Sequence, residues 1–559
     1  MLMKKIILFS LAICAAIVTW AVPADRTPFV LTLVDGTQVV VTMCGDENFS
    51  WYETADGNIV EETKDGYVLG KRSANDVRTL AHKARKAAPR RIGSQATAPL
   101  PSLGSPHIPV ILVNFQDSVF HTKPTEQELL AFYDLYFNGT RDGVLYKDHG
   151  SYGAVRDYFS DQSHGQFTPE FDIIGIVTLD HNEEHYGQNS GSSKDTRYSD
   201  FCKEAATKAM EKYDVDWEPF SNRGGQNVVD MTVFVYAGCG ENTSGVPSTT
   251  LWPKWSSLGF TVNGIKFKSG LCSSENMPIK ESGVIIGAKT DGIGVFCHEM
   301  NHALGLPDFY DTGLKGFGMD LWSIMDYGQY GENGYIPAAM TSYEREFMGW
   351  LKIEEITSSG WLTLAPIADG GKGYKIVNPY NSNEYYVLEN RQRVGWDEGV
   401  CRFGHGLLIT HVDYDAGSWS SNSVNNNVNH QRMTIIAANN RYIGTCVPNV
   451  TRGDLLETWS GNCYPFEKND SLTSNSTPAA TVFTPADGFM NMDLNGIREN
   501  DDLTVSFYAG NDFADGLSEV VRDARPQVTA PIVYDLMGRR VWQPRKGIFI
   551  VGDRKILVK

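Results

Sequence analysis

Hydrophobic and polar positions divide the 559-residue chain into segments before any single residue is considered. Residues 6–20 form an apolar run behind Lys4 and Lys5. The run is short and wrongly flanked for a membrane span, and it has the form of an export signal. Thr19 and Ala21 suit cleavage after Ala21, with a cut after Ala24 as the alternative. Residues 29–34 and 38–43, joined through Asp35-Gly36, read as a β-hairpin, and Ala55-Asp56-Gly57 and Asp65-Gly66 mark further turns. A nearly continuous apolar run at 108–115 reads as a buried central strand. Residues 126–137, 151–160 and 198–213 carry helical periodicity, and 171–179 and 228–236 read as strands. Beyond about residue 356 the pattern turns to β, with strands expected at 384–389, 406–413 and 503–508 and a polar Asn/Ser loop at 419–429.

These patterns predict a multidomain chain. A signal peptide (1–21) precedes a small β-rich propeptide with a basic linker (22–95). An α/β catalytic domain (105–355) is followed by a β-rich, sandwich-like domain (356–510), a linker (511–529) and a C-terminal β-hairpin (530–559). The linker carries Lys71, Arg72, Arg78, Lys83, Arg85, Lys86, Arg90 and Arg91, so it is expected to be exposed and open to an activating trypsin-like protease.

Composition narrows the function classes. A net charge of −18 argues against general nucleic-acid binding. No later apolar run is long enough for a transmembrane segment. Secretion or cell-surface display follows. Of the nine cysteines, eight remain after the signal is removed, with no Cys-x-x-Cys pair and no disulfide framework legible.

The chemistry concentrates in His298-Glu-Met-Asn-His-Ala-Leu-Gly-Leu-Pro-Asp308. On a helix, His298 and His302 share one face, one turn apart, which suits zinc. Glu299 then stands beside a metal-bound water as a general base. Gly305 and Pro307 end the helix and turn the chain, bringing Asp308 back as a third ligand. Met325 is the expected floor of the site. Tyr327, two residues on, is a candidate to stabilise the oxyanion. In the propeptide, Cys44 is a candidate latency thiolate for the open metal position, and Asp46 or Glu47 offers a carboxylate for the same part. Asp413, Asp415 and Asp454 are candidate oxygen ligands for Ca2+ as a second cofactor. His405 and His411 read as structural.

The catalytic half resembles the immune inhibitor A-type secreted metallopeptidases of bacteria. The residues that carry the resemblance are the stretch from His298 to Asp308, Asp320-Leu-Trp-Ser-Ile-Met-Asp-Tyr, and Ser342-Tyr-Glu-Arg-Glu-Phe-Met-Gly-Trp350. It extends over roughly residues 105–510, with Gly461-Asn-Cys-Tyr-Pro departing from the Gly-Asp-x-Phe-Pro of relatives. The resemblance implies a metzincin-like zinc endopeptidase made as a zymogen, with His298, His302 and Asp308 as ligands and Glu299 as base. Its substrates would be proteins or peptides, host glycoproteins among them. The tail from Val533 onward resembles the C-terminal sorting domain of Bacteroidetes secretion systems, implying outer-membrane export. The rival reading is a catalytically silent surface or glycan-binding protein on a protease-like scaffold, with Trp361, Trp396 and Trp419 as candidate sugar platforms.

Overall fold

The computed structural model describes residues 19–86, 97–139, 144–190, 194–243, 245–313, 315–444, 447, 450–513 and, near the C-terminus, 533–535, 540–541, 547–551 and 554–558. The run expected as the export signal lies outside the described residues up to residue 18. Among the described residues, no helix is long and apolar enough to cross a membrane.

Residues 108–113 form the centre of the molecule because they are apolar on both sides of a strand. His107–Asn114 lies between Thr232–Cys239 and Glu170–Thr178, parallel to both. Side chains alternate faces along a strand. Val110 and Leu112 therefore join one buried cluster with Leu129 of the helix Glu126–Asn138 and Phe296 and Met300 of the helix Ile293–Ala303. Ile111 and Val113 join a second cluster, with Phe201 and Ala205 of the helix Tyr198–Lys212. The sheet is seven-stranded and mixed. It continues through Ser269–Glu281 to the antiparallel strand Lys254–Ser257. The last partner of Lys254–Ser257 is the short strand Thr19–Ala21 from the N-terminal segment, also antiparallel.

The N-terminal module is an antiparallel five-stranded sheet, beginning with the expected hairpin Phe29–Thr32 and Gln38–Asp46. The basic linker departs from expectation. Ala74–Lys86 is a helix whose Val77 and Ala81 are buried against Trp51 and Ile59, so that part of the stretch is folded onto the module. Residues 87–96, with Arg90 and Arg91, lie outside the described residues.

The boundary expected near residue 356 is not a boundary in packing. Trp396, Leu408, Val412 and Trp419 lie in the same buried cluster as Phe296, Met300 and Met325. A five-stranded sheet built on Asn381–Arg391 and Gly406–Asp413 and a three-stranded sheet containing Val505–Ala509 share a further cluster, with Leu388, Ile409 and Phe507 in it. Burial of Trp396 and Trp419 removes them as sugar platforms, whereas Trp361 is 51% exposed. His411 pairs with Glu384 at 2.9 Å and His405 with Glu499 at 2.7 Å, so both histidines have carboxylate partners that their sequence neighbourhood did not reveal. The expected calcium carboxylates are spread among other tasks. Asp413 pairs with His430 and Arg432, Asp415 caps the helix Ala416–Ser420, and Asp454 completes a capping box with Thr451. The C-terminal unit, Asp512–Lys559, holds a four-stranded antiparallel sheet and not the single hairpin expected.

Candidate active site

The site is built on the helix Ile293–Ala303, buried along its whole length. Gly294 permits this burial, because a Cβ there would stand 1.9 Å from the Gln329 carbonyl oxygen. At the other end Gly305 takes a φ of +105°, a conformation that L side chains rarely adopt. The turn it makes returns the Leu306 N–H to the Asn301 carbonyl at 3.1 Å. The same turn places the Leu306 carbonyl 2.8 Å from His302 Nδ1, while His298 Nδ1 lies 2.8 Å from the Ile324 carbonyl. With each Nδ1–H donating to a carbonyl, both Nε2 atoms are left as acceptors facing the site.

The geometry brings three of the expected ligands together. His298 Nε2 and His302 Nε2 are 3.1 Å apart. Asp308 Oδ1 is 3.3 Å from the first and 3.1 Å from the second. A tetrahedral zinc with bonds of about 2.0–2.1 Å separates its ligand atoms by about 3.3 Å. The donor set therefore fits that ion, with two imidazoles and one carboxylate leaving a fourth position open. His298, Glu299 and His302 also meet the geometry of a metal-holding group.

Glu299 is buried, and its Oε2 accepts the Trp255 backbone N–H at 2.6 Å. This ties the carboxylate to the strand Lys254–Ser257, the outermost strand of the sheet apart from Thr19–Ala21. Met325 is fully buried below the helix, where its carbonyl accepts the Phe309 N–H at 2.8 Å. Ser323 shapes this turn. Its hydroxyl accepts the Met325 N–H at 2.9 Å and donates to the buried carboxylate of Glu344. Burial pushes the Glu344 carboxyl up to about 7, against the Ser323 hydrogen bond that lowers it. Glu344 also closes the capping box of the helix Ser342–Met348 with Thr341, which links two of the stretches that carried the family resemblance.

Tyr327 is occupied by the N-terminal segment. Its hydroxyl accepts the Arg26 N–H at 2.8 Å, and the Arg26 guanidinium lies 4.1 Å over its ring. Tyr330 donates to the Pro23 carbonyl at 2.7 Å, and the Trp252 indole N–H donates to the Val22 carbonyl at 3.2 Å. Burial raises the Tyr327 phenol pKa well above its ordinary value.

The expectation for Cys44 fails. Cys44 is disulfide-bonded, with its partner outside the described residues, and so offers no thiolate to a metal. It is buried with Trp51, Val77 and Tyr310. Asp46 accepts from Asn48 N–H at 2.9 Å and from the Tyr310 hydroxyl at 3.3 Å, while Glu47 accepts from the Asn48 amide at 2.7 Å.

One supporting residue was missed by sequence reasoning. Asn422 Oδ1 accepts the Asp308 N–H at 2.7 Å, and its amide donates to Asp308 Oδ2. Its neighbours do the same for the following turn, with Asn425 donating to the Phe309 carbonyl and Asn426 accepting from Thr312. The polar loop expected at 419–429 is thus the clamp that orients Asp308, the expected third ligand. Its Asn-rich composition was visible, but nothing local pointed to a partner 114 residues away.

Residues 102–352 match the family model described as immune inhibitor A peptidase M6, catalytic domain. The chain is 24% identical over 283 residues to the pre-pro-metalloprotease PrtV of Vibrio cholerae serotype O1 (strain M66-2), covering 44% of this chain and 30% of that protein. It is 23% identical over 286 residues to immune inhibitor A of Bacillus thuringiensis subsp. alesti, covering 44% of this chain and 41% of that protein. The chain therefore spans less than half the length of these curated relatives. The stretch that carries His298, Glu299, His302 and Asp308 is a catalytic domain of the immune inhibitor A (M6) peptidase family.

Proposed function

We propose that this chain is an exported zinc-dependent endopeptidase, made as a zymogen. The observation that carries the reading is the triangle of His298 Nε2, His302 Nε2 and Asp308 Oδ1, 3.1–3.3 Å on a side, with the Glu299 carboxylate beside it. Zinc bound there supplies Lewis acidity and lowers the pKa of water towards ~7. Glu299, oriented by the Trp255 N–H, takes the proton from the attacking water and passes it to the leaving amine. The strand Lys254–Ser257 offers its outer edge for pairing with an extended substrate. Tyr327 donates a hydrogen bond from its hydroxyl to the developing oxyanion once its present partner has gone.

Latency is supported by residues 22–26, which lie beyond the expected signal cut and engage Trp252, Tyr330 and Tyr327 through Val22, Pro23 and Arg26. In this reading an activating protease cuts the basic linker and frees the cleft. Export is supported by the charged-then-apolar N-terminus, and outer-membrane sorting by the resemblance of the tail.

The test is incubation of the purified secreted protein with casein, with and without a chelator, beside metal analysis. We expect near-stoichiometric zinc and cleavage that the chelator abolishes. Cleavage that survives zinc removal would overturn the role of the metal. Glu299→Ala should keep the zinc and lose at least about 10²-fold in activity. A variant that cleaves at the wild-type rate would remove Glu299 from the mechanism.

A further inference from the structure

Asp320 is an aspartate in an unusual position. It is 1% exposed and takes a left-handed φ of +47°. Neither carboxylate oxygen accepts a hydrogen bond of normal geometry, and burial raises the carboxyl pKa against the opposing charge of Arg26 and the nearby Trp459 indole. Burial of a carboxylate without hydrogen bonds is costly unless a cation stands opposite. Among the described residues its paired cation is Arg26, with Nη1 at 3.8 Å from Asp320 Oδ2. Nε and Nη2 of that guanidinium make no hydrogen bond. The pairing is therefore one of charge and shape and not of a closed hydrogen-bonded fork.

Three features of the place Arg26 occupies suit a guest side chain. The ring of Tyr327 forms one wall, and a guanidinium or ammonium is attracted to its face. Asp320 supplies the carboxylate that faces the guanidinium, and the buried carboxyl group of Asp326 accepts the N–H groups of Met319, Asp320 and Tyr327 and so fixes the backbone of the seat. The backbone N–H of Arg26 is held by the Tyr327 hydroxyl, so the seat reads main chain and side chain together. Arg26 follows by five residues the strand Thr19–Ala21, whose antiparallel pairing with Lys254–Ser257 carries the segment past the Trp255–Glu299 contact. Its side chain thus lies on the C-terminal side of the place where a chain running the same way would be cut.

We infer that Asp320 is a specificity-determining residue that, with the ring of Tyr327, selects protein substrates carrying an arginine or lysine on the C-terminal side of the cleaved bond, in the seat that Arg26 fills. The inference rests on the protease reading above and on removal of residues 22–27 from the cleft. Loss of Arg26 leaves Asp320 without its cation, and a basic substrate side chain restores the pair, whereas an acidic one meets the buried Asp320 carboxylate.

The test is cleavage of a proteome-derived peptide library by the secreted protein, with every cut site mapped by mass spectrometry. We expect arginine and lysine enriched on the order of tenfold at one fixed position after the cut, and glutamate and aspartate depleted there. Asp320→Asn, which tolerates the left-handed backbone, should lose that enrichment, and Asp320→Glu should retain part of it. Enrichment that persists undiminished in Asp320→Asn would overturn the assignment. Cleavage by the wild-type protein with no basic preference would overturn it too, and that outcome needs no variant to fold. A protein that cleaves nothing would overturn the protease reading and this inference with it.

Discussion

Asn422 shows how much of the proposed metal centre depends on a residue outside the donor set. It holds Asp308 at both its N–H and its carboxylate, so it sets the direction in which Oδ1 points. Groups that orient a metal ligand typically carry 10–100-fold in affinity. We therefore expect Asn422→Leu to weaken zinc binding by about 10–100-fold, read by competition with a chromophoric chelator, while far-ultraviolet circular dichroism stays unchanged. Unaltered affinity would reduce Asn422 to loop packing. His298, Glu299 and His302 were legible from spacing alone, because a helix sets the relation of i to i+4 without help from the rest of the chain. Asp308 was legible only as far as the turn at Gly305. Cys44 misled because a lone thiol near a turn looks the same in sequence whether it is free or disulfide-bonded.

At the scale of elements, the site helix is held by what it touches at its first turn. Gly294 lies against the backbone at Gln329, within the segment Tyr327–Gly334 that follows the Met325 turn. A methyl group there meets a carbonyl oxygen at 1.9 Å and forces the helix away from that turn. Overpacking of this kind costs typically 1–3 kcal/mol, so Gly294→Ala should lower stability in urea by about that amount. Activity should fall further than stability, because His298 and the Ile324 carbonyl move apart. A fully active Gly294→Ala protein would show that the contact is dispensable. The helices and buried strands of residues 105–355 were legible because their periods are strong. The helix Ala74–Lys86 was not, since its charged, basic sequence reads as a linker, and the buried Val77 and Ala81 and the Arg78–Glu53 pair that fix it to the module's sheet show no strong period.

For the molecule as a whole, the joint between residues 105–355 and the β-rich region is a buried charge cluster. Arg391 pairs with Asp397 and Glu389, and its remaining donors reach the carbonyls of Trp322 and Ala339. Asp397 in turn accepts the Ala339 N–H at 3.0 Å. Removing one partner of such a cluster leaves uncompensated buried charge and costs about 3–5 kcal/mol. Arg391→Met should therefore destabilise both regions together, giving one cooperative urea transition at lower midpoint. Two separated transitions would show that residues 356–510 form an independent domain after all.

Sequence by itself determined the features set by short-range geometry. These are the two imidazoles on one helix face with a glutamate between them, the period-two strands of the central sheet, and the hairpin of the N-terminal module. Tertiary structure decided the rest. It brought Asn422 to Asp308, set Arg26 over Tyr327 beside Asp320, and joined the regions on either side of residue 356 through Arg391. The physical reason is range. A helix or strand repeats its own contacts every few residues, whereas these pairs are separated by 52 to 301 residues and exist only once the chain has packed.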